Sequence, residues 1–186
     1  MKVNKISFAV FVLLLFLLSF TASAQRTMPG QPALRLAVLY NGQRPGAEAF
    51  FSSYTGNGYW EAGIVESQGA APTSNGPQVD FLHTTAQGGY FYRLLATRNR
   101  LLNLYCGGGI LAGIESTDPW GSLPSYLETG LAAHRFLYGI YGNLTGEVFL
   151  GNMFAFTISG SVPVNFSSAF SYVRWSVGIG IKLTLR

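Results

Sequence analysis

Residues 171–186 read SYVRWSVGIGIKLTLR, and the alternation in that stretch decides the fold. Every second side chain from Val173 to Leu185 is apolar, and Arg174, Ser176, Gly178, Gly180, Lys182 and Thr184 stand between them. A period of two belongs to a β-strand, whose successive side chains point to opposite faces. The run is about twice as long as a strand in a soluble domain usually needs. One of its faces must therefore meet an extended apolar surface.

The same pattern recurs upstream. In FLYGIYGNLTGEVFL (136–150), Phe136, Tyr138, Ile140, Leu144 and Val148 oppose Gly139, Tyr141, Asn143, Thr145 and Glu147. In LLNLYCGGGILAGIES (101–116), Leu102, Leu104, Cys106, Ile110 and Ile114 oppose Asn103, Tyr105, Gly107, Gly109 and Glu115. Period-two segments bounded by turn residues predict strands over 33–40, 47–54, 59–66, 79–94, 100–115, 135–150, 153–165 and 170–185. The polar faces are mostly Gly, Ser, Thr, Asn and Tyr, with single charges at Arg35, Glu61, His83, Arg93, Glu115, Glu147, Arg174 and Lys182. Such residues suit a crowded lumen better than a solvated exterior, so the apolar faces are assigned to lipid and these eight side chains to the interior.

Composition agrees. Charged residues are 11% of the 186, less than half of the roughly 25% usual for soluble domains, while aromatics reach 15%. Residues 1–24 read as a signal peptide: Lys2 and Lys5 precede an apolar run from Ile6 to Phe20, and Ala22-Ser23-Ala24 is a small-residue cleavage site. That run is shorter than the roughly 20 residues a spanning helix needs, and no later segment offers a longer one. Residues 25–32 are expected to form a periplasmic segment kept out of the sheet by Pro29, Gly30 and Pro32, and 33–186 the barrel. The single cysteine, Cys106, allows no intramolecular disulfide. The excess of Lys and Arg over Asp and Glu is scattered and partly lost with Lys2 and Lys5, so no nucleic-acid surface is expected.

The fold predicted is an all-β, eight-stranded, antiparallel up-and-down transmembrane barrel in the bacterial outer membrane. Its connections alternate as that requires: NGQRPG, SQGAAPTSNGP, the stretch 116–134 and NFSSAF form the longer external set, while TGNG, LATRN and Gly151-Asn152 form the shorter periplasmic one. Two aromatic belts at the lipid interfaces follow, with Trp60, Tyr90, Tyr92, Phe154 and Phe156 near the periplasmic ends and Tyr40, Phe136, Tyr138 and Trp175 near the external ends. Within the closing strand, Ser176, Gly178, Ile181 and Leu183 resemble the C-terminal sorting signal of outer-membrane barrels.

No catalytic, metal or cofactor motif accompanies His83 or His134, and the glycines at 107–109 lack the Lys-Ser or Lys-Thr of a phosphate loop. No enzyme activity and no cofactor are expected. A lipid-modifying barrel would need a serine, a histidine and a carboxylate together, for which Ser125, Glu128 and His134 are the available residues.

With AQRTMPG (24–30), GGYFY (88–92), LAGIES (111–116), FLYGIYGNLTGEVFL and GIGIKL (178–183) in view, the chain resembles the conjugative transposon protein TraO family of Bacteroides-type mobile elements. The resemblance implies an envelope component of conjugative DNA transfer, acting beside a type IV secretion-like apparatus, with outer-membrane lipids and other transfer proteins as partners. Since side chains fill an eight-stranded barrel, a scaffold or docking role is expected rather than a DNA conduit. QRTMPGQP (25–32) and the loop around Trp120 and Tyr126 are the docking candidates. A small structural or adhesive barrel outside conjugation, and a soluble barrel with its faces inverted, are the alternatives.

Overall fold

Alternation of apolar and small polar residues carries the chain through eight strands, in a computed structural model that describes residues 28–71, 79–97, 101–117, 134–151, 153–169 and 172–185. The strands are β1 (Pro32–Tyr40), β2 (Pro45–Tyr54), β3 (Gly58–Ala71), β4 (Val79–Ala96), β5 (Leu102–Thr117), β6 (His134–Phe149), β7 (Phe154–Asn165) and β8 (Ser176–Thr184). Each pairs antiparallel with its neighbours in sequence, and β8 closes on β1 from Ala33 opposite Thr184 to Tyr40 opposite Val177. Closure satisfies every edge along the paired length, as hydrocarbon surroundings demand. The expected signal peptide at 1–24, the residues 25–27 and the loop stretch with Trp120, Ser125, Tyr126 and Glu128 lie outside the described residues.

The faces fall as the alternation predicts. On β1, Leu34, Leu36, Val38 and Tyr40 are exposed, and Ala33, Arg35, Ala37 and Leu39 are buried. On β8, Val177, Ile179 and Ile181 are exposed, and Gly178, Gly180, Lys182 and Thr184 are buried. A protein in water would not leave this many large apolar side chains uncovered, whereas one in lipid does so by design.

β3 runs on to Ala71, five residues past its expected end, because β4 pairs with it all the way from Val79, and several other ends shift by one or two residues. Three further differences have a physical reason of their own. Pro32, expected outside the sheet, is the first residue of β1, a position proline tolerates because no ladder N–H is required there; its carbonyl accepts from Leu185 N at 2.9 Å. Met28 to Gln31 form a turn with a Gln31 N to Met28 O bond and Gly30 at φ 81°, the conformation expected of a Pro-Gly pair. Gly30 N donates to Tyr54 O at 2.7 Å, so this piece is tied to the end of β2. At the other terminus, β8 begins at Ser176 and not at 170, because β1 ends at Tyr40 and offers no partner above Val177; Val173 makes only an isolated bridge to Val164. The third difference is in β4, which runs to Ala96 through a bulge between Arg93 and Leu95 that leaves both Leu94 and Leu95 facing outward.

Above the external rim, β3 outlasts β2 and β6 outlasts β7. These two overhangs would present open sheet edges, and the neighbouring loops seal them. Asn41 Nδ2 donates to Gln68 O at 2.5 Å, and Gln43 Oε1 accepts from Ala70 N at 3.1 Å, so side chains of the first external turn stand in for a strand beside β3. On the other side Phe166 N donates to Tyr138 O at 2.9 Å and Ser167 Oγ to Phe136 O at 2.8 Å. The first turn depends on Gly42, whose φ is 85° and where an added Cβ would lie 2.9 Å from Trp175 Cζ2. Gly42→Ala is expected to cost about 1–3 kcal/mol through that backbone strain, read as a lower melting midpoint of the detergent-refolded barrel.

Candidate functional site: the sealed lumen and the external rim

Inward-facing positions of the periplasmic half converge on two ion centres. Arg35, wholly buried, donates from Nη2 to Glu61 Oε1 at 2.8 Å and from Nε to Glu61 Oε2 at 3.3 Å, the forked geometry a guanidinium offers a carboxylate. Its Nη1 donates to Glu48, and Phe50 lies under the guanidinium at 4.7 Å. Ser52 Oγ supplies Glu61 with a further donor at 3.3 Å. Directly opposite Arg35 in the β1–β8 register, Lys182 Nζ donates to Glu147 Oε1 at 2.7 Å, while Tyr54 donates its hydroxyl to Glu147 Oε2 at 3.1 Å.

An aromatic layer joins these centres. Tyr59 stacks on Phe91 with centroids 4.9 Å apart and planes 8° from parallel, and meets Tyr105 edge-on at 4.9 Å. The Lys182 ammonium lies 3.7 Å from the Tyr59 ring centre and 4.6 Å from that of Tyr54. Buried ions need partners on every side, and here carboxylates, a hydroxyl and ring faces supply them.

The external half holds a second kind of arrangement. Glu115, buried on β5, accepts from His83 Nε2 at 2.7 Å, from Ser168 Oγ at 2.7 Å and from Ala169 N at 3.1 Å. Arg174 approaches the other imidazole nitrogen, Nδ1, at 3.1 Å, donates to Gln68 O at 3.2 Å and lies over Phe81 at 4.9 Å. A guanidinium only donates, so His83 Nδ1 is the acceptor and its Nε2–H faces Glu115. The loop between β7 and β8 is thereby drawn into the barrel mouth. Between the two regions a cavity of about 40 Å³ is lined by Glu48, Thr85, Gln87, His83, Asn165 and Arg174, room for a few water molecules.

Seven of the eight sequence-assigned interior charges thus face one another: Arg35 with Glu61, Lys182 with Glu147, and His83 with Glu115 and Arg174. Arg93 does not join them. It stands half-buried at the periplasmic rim beside the β4 bulge and reaches Gly56 O at 3.3 Å. Glu48 escaped the sequence reading although it shares an inward register with Phe50, Ser52 and Tyr54; that parity was the available signal. Ser168 and Ala169 had none, since a loop residue's partner across the mouth is invisible in local sequence.

The belt aromatics lie on the exterior. Tyr40, Trp60, Tyr92, Phe136, Tyr138, Phe154 and Trp175 are at least half exposed, while Tyr90 and Phe156 are half-buried. Tyr90 packs on Trp60 at 4.9 Å and its hydroxyl meets Thr55 Oγ1 at 3.1 Å. Trp175 precedes β8 and lies against the Gly42 turn, and Phe166 and Tyr172 add two exposed rings to the external belt. Cys106 is exposed on the outward face of β5. His134 Nδ1 lies 3.1 Å from Ser116 Oγ at the external rim. Among the described residues no cluster of His, Cys, Asp and Glu has the makings of a metal site.

The barrel is similar in fold to solved outer-membrane proteins. These include OprG of Pseudomonas aeruginosa (TM-score 0.61, 12% identity, 89% of this chain and 99% of that one) and the N-terminal β-barrel domain of OprF from the same organism (0.56, 8%, 84% and 98%). Neisserial surface protein A is a third (0.53, 11%, 83% and 95%). No match is found among curated proteins. Identities this low establish the architecture, an outer-membrane β-barrel with its apolar face in lipid. Sequence similarity supplies the rest: residues 51–185, from the middle of β2 past the end of β8, match the family described as conjugative transposon protein TraO. The chain belongs to the conjugative transposon protein TraO family, and is a conjugation-associated outer-membrane protein.

Proposed function

We propose that this protein is a closed outer-membrane anchor of the conjugative transfer apparatus, a scaffold on which other envelope components dock, and that no DNA passes through it. The observation that carries the reading is the sealed lumen. Arg35, Glu48, Glu61, Lys182 and Glu147, with the Tyr54, Tyr59, Phe91 and Tyr105 rings, occupy the bore of the periplasmic half. Opening a path would require unpairing ions in a low-dielectric interior, which costs several kcal/mol for each pair. Eight strands enclose space for side chains and little else. A protein of a transfer family that offers no passage contributes its surfaces, and the type IV secretion-like machinery is the assembly those surfaces serve. The reading assigns the barrel no enzymatic activity.

An in-frame deletion of the gene, complemented in trans, tests this. Transconjugants per donor are expected to collapse in the deletion and to return with the wild-type gene. They should return equally with a chain whose lumen is locked by a disulfide engineered across it, because nothing needs to pass. Unchanged transfer in the deletion would overturn the reading, and failure of the locked chain alone would show that the bore must open.

A further inference from the structure

One line of hydrogen bonds crosses the external mouth. Asn41 of the first turn and Arg174, just before β8, both donate to Gln68 O on β3, at 2.5 and 3.2 Å. Arg174 also donates to His83 Nδ1 on β4 at 3.1 Å, and His83 Nε2–H to Glu115 on β5 at 2.7 Å. Glu115 in turn accepts from Ser168 and Ala169 of the loop between β7 and β8. Amides, a hydroxyl, a guanidinium and a carboxylate keep their donor and acceptor roles near neutral pH. The imidazole is the one link whose role changes between about pH 5 and 8.

The groups that face His83 are few. Ser67 lies opposite it on β3 and Glu115 on β5, with Arg135 of β6, exposed, opposite Glu115 in turn. Glu48 of β2 and Asn165 of β7 line the cavity beside it, and Glu48 is held by Arg35. On β4 itself Asp80 pairs with Arg44, and the Phe81 ring lies 5.0 Å from the imidazole and 4.9 Å from the Arg174 guanidinium. Among the described residues, Arg174 is the cation that touches His83.

We infer that His83 is a proton-operated latch on the external mouth: neutral, it holds Arg174 across the cavity, and protonated, it expels it. In the imidazolium both ring nitrogens donate, so Nδ1–H would confront a guanidinium N–H, cation against cation. The Nε2–H bond to Glu115 becomes an ion pair at the same moment, so the ring stays and Arg174 leaves. Little else retains Arg174: the bond to Gln68 O, the face of Phe81, an Arg174 N to Pro163 O bond at 3.2 Å and the isolated Val173–Val164 bridge. Its side chain lines the cavity of about 40 Å³, so its departure opens that space to the exterior. The closed mouth accepts only the neutral ring and the open mouth accepts either form. The open share is therefore smallest at high pH and grows as the pH falls through the histidine range. The latch depends on the mouth alone and is independent of the anchor role.

The test uses the full chain in isolated outer membranes, carrying Cys106→Ser and one reporter thiol. Thr85→Cys places it in the cavity, where Thr85 is buried, and Tyr172→Cys, at an exposed position, is the reference. The ratio of their modification rates by methyl methanethiosulfonate is followed from pH 8 to pH 5, where both thiols lose thiolate in parallel and the ratio reads access. It is expected to rise about tenfold for each pH unit below the histidine midpoint. In His83→Gln and His83→Asn, whose amides do not titrate, it should stay flat. Arg174→Ala should give the high ratio at every pH. Heat-modifiable electrophoretic mobility confirms that each variant is folded. A wild-type ratio that ignores pH, the same rise in the His83 variants, which would assign it to a carboxylate such as Glu115 or Glu48, or a low ratio in Arg174→Ala would each overturn the inference.

Discussion

Arg35→Ala is expected to cost the barrel about 3–5 kcal/mol, because it strands two carboxylates in the lumen. Glu48 and Glu61 sit beside each other with Arg35 as their shared counter-ion, and both are buried. Without the guanidinium, the two carboxylates are left buried beside each other with no counter-ion. In detergent-refolded protein the transition from compact to slow electrophoretic mobility should come at a temperature roughly 10 °C lower, taking about 2–4 °C per kcal/mol for a chain of this size.

A second variant separates lost charge balance from lost packing. Arg35→Met combined with Glu48→Gln and Glu61→Gln removes every charge at the centre while keeping most of its volume, and should recover most of the loss. If the triple variant melts as low as Arg35→Ala, the guanidinium serves by filling space against Phe50, and the electrostatic account of the plug is wrong.

The other large effect concerns the barrel mouth. Glu115 holds Ser168 Oγ and Ala169 N, two bonds to a charged acceptor from the loop between β7 and β8, which Phe166 and Ser167 also tie to β6. Bonds of this kind contribute about 1.5–3 kcal/mol each. Glu115→Ala should therefore raise the open population of the loop by at least about a hundredfold, at about 1.4 kcal/mol per decade. Chymotrypsin added to intact cells reads that population when opening and closing are fast relative to cleavage, at the exposed Phe166 and Tyr172. A hundredfold faster cut at these sites, with the strands still protected, is the expected result. Unchanged cleavage would mean that the Phe166 and Ser167 bonds to β6 hold the loop without Glu115.

Both predictions concern how the barrel is closed, and closure gives the family membership its physical content. On the anchor reading proposed above, a transfer protein with a plugged bore acts through its rims and its outer wall.

How much of this was legible in the chain can be judged from particular residues. Val177, Ile179 and Ile181 announce a lipid-facing strand because a period of two has one physical cause, and the paucity of charge tells which face is wet. Strand number, antiparallel order and the inward parity of Arg35, Glu61, Glu147 and Lys182 all follow from that local rule. Which of these ions meet does not follow, since it depends on barrel shear: Lys182 reaches Glu147 and not a carboxylate on β2 only because β8 and β6 bring them to one height across β7.

The same reason governs the ends of the strands. Alternation continues through Tyr172 to Trp175, yet β8 starts only where β1 has residues left to pair. Ser168 has nothing in its neighbourhood that points to Glu115. Side-chain parity is a property of each strand and can be read from the chain. Partnership across the lumen and around the wall belongs to the closed barrel, because only closure fixes the heights at which the strands meet.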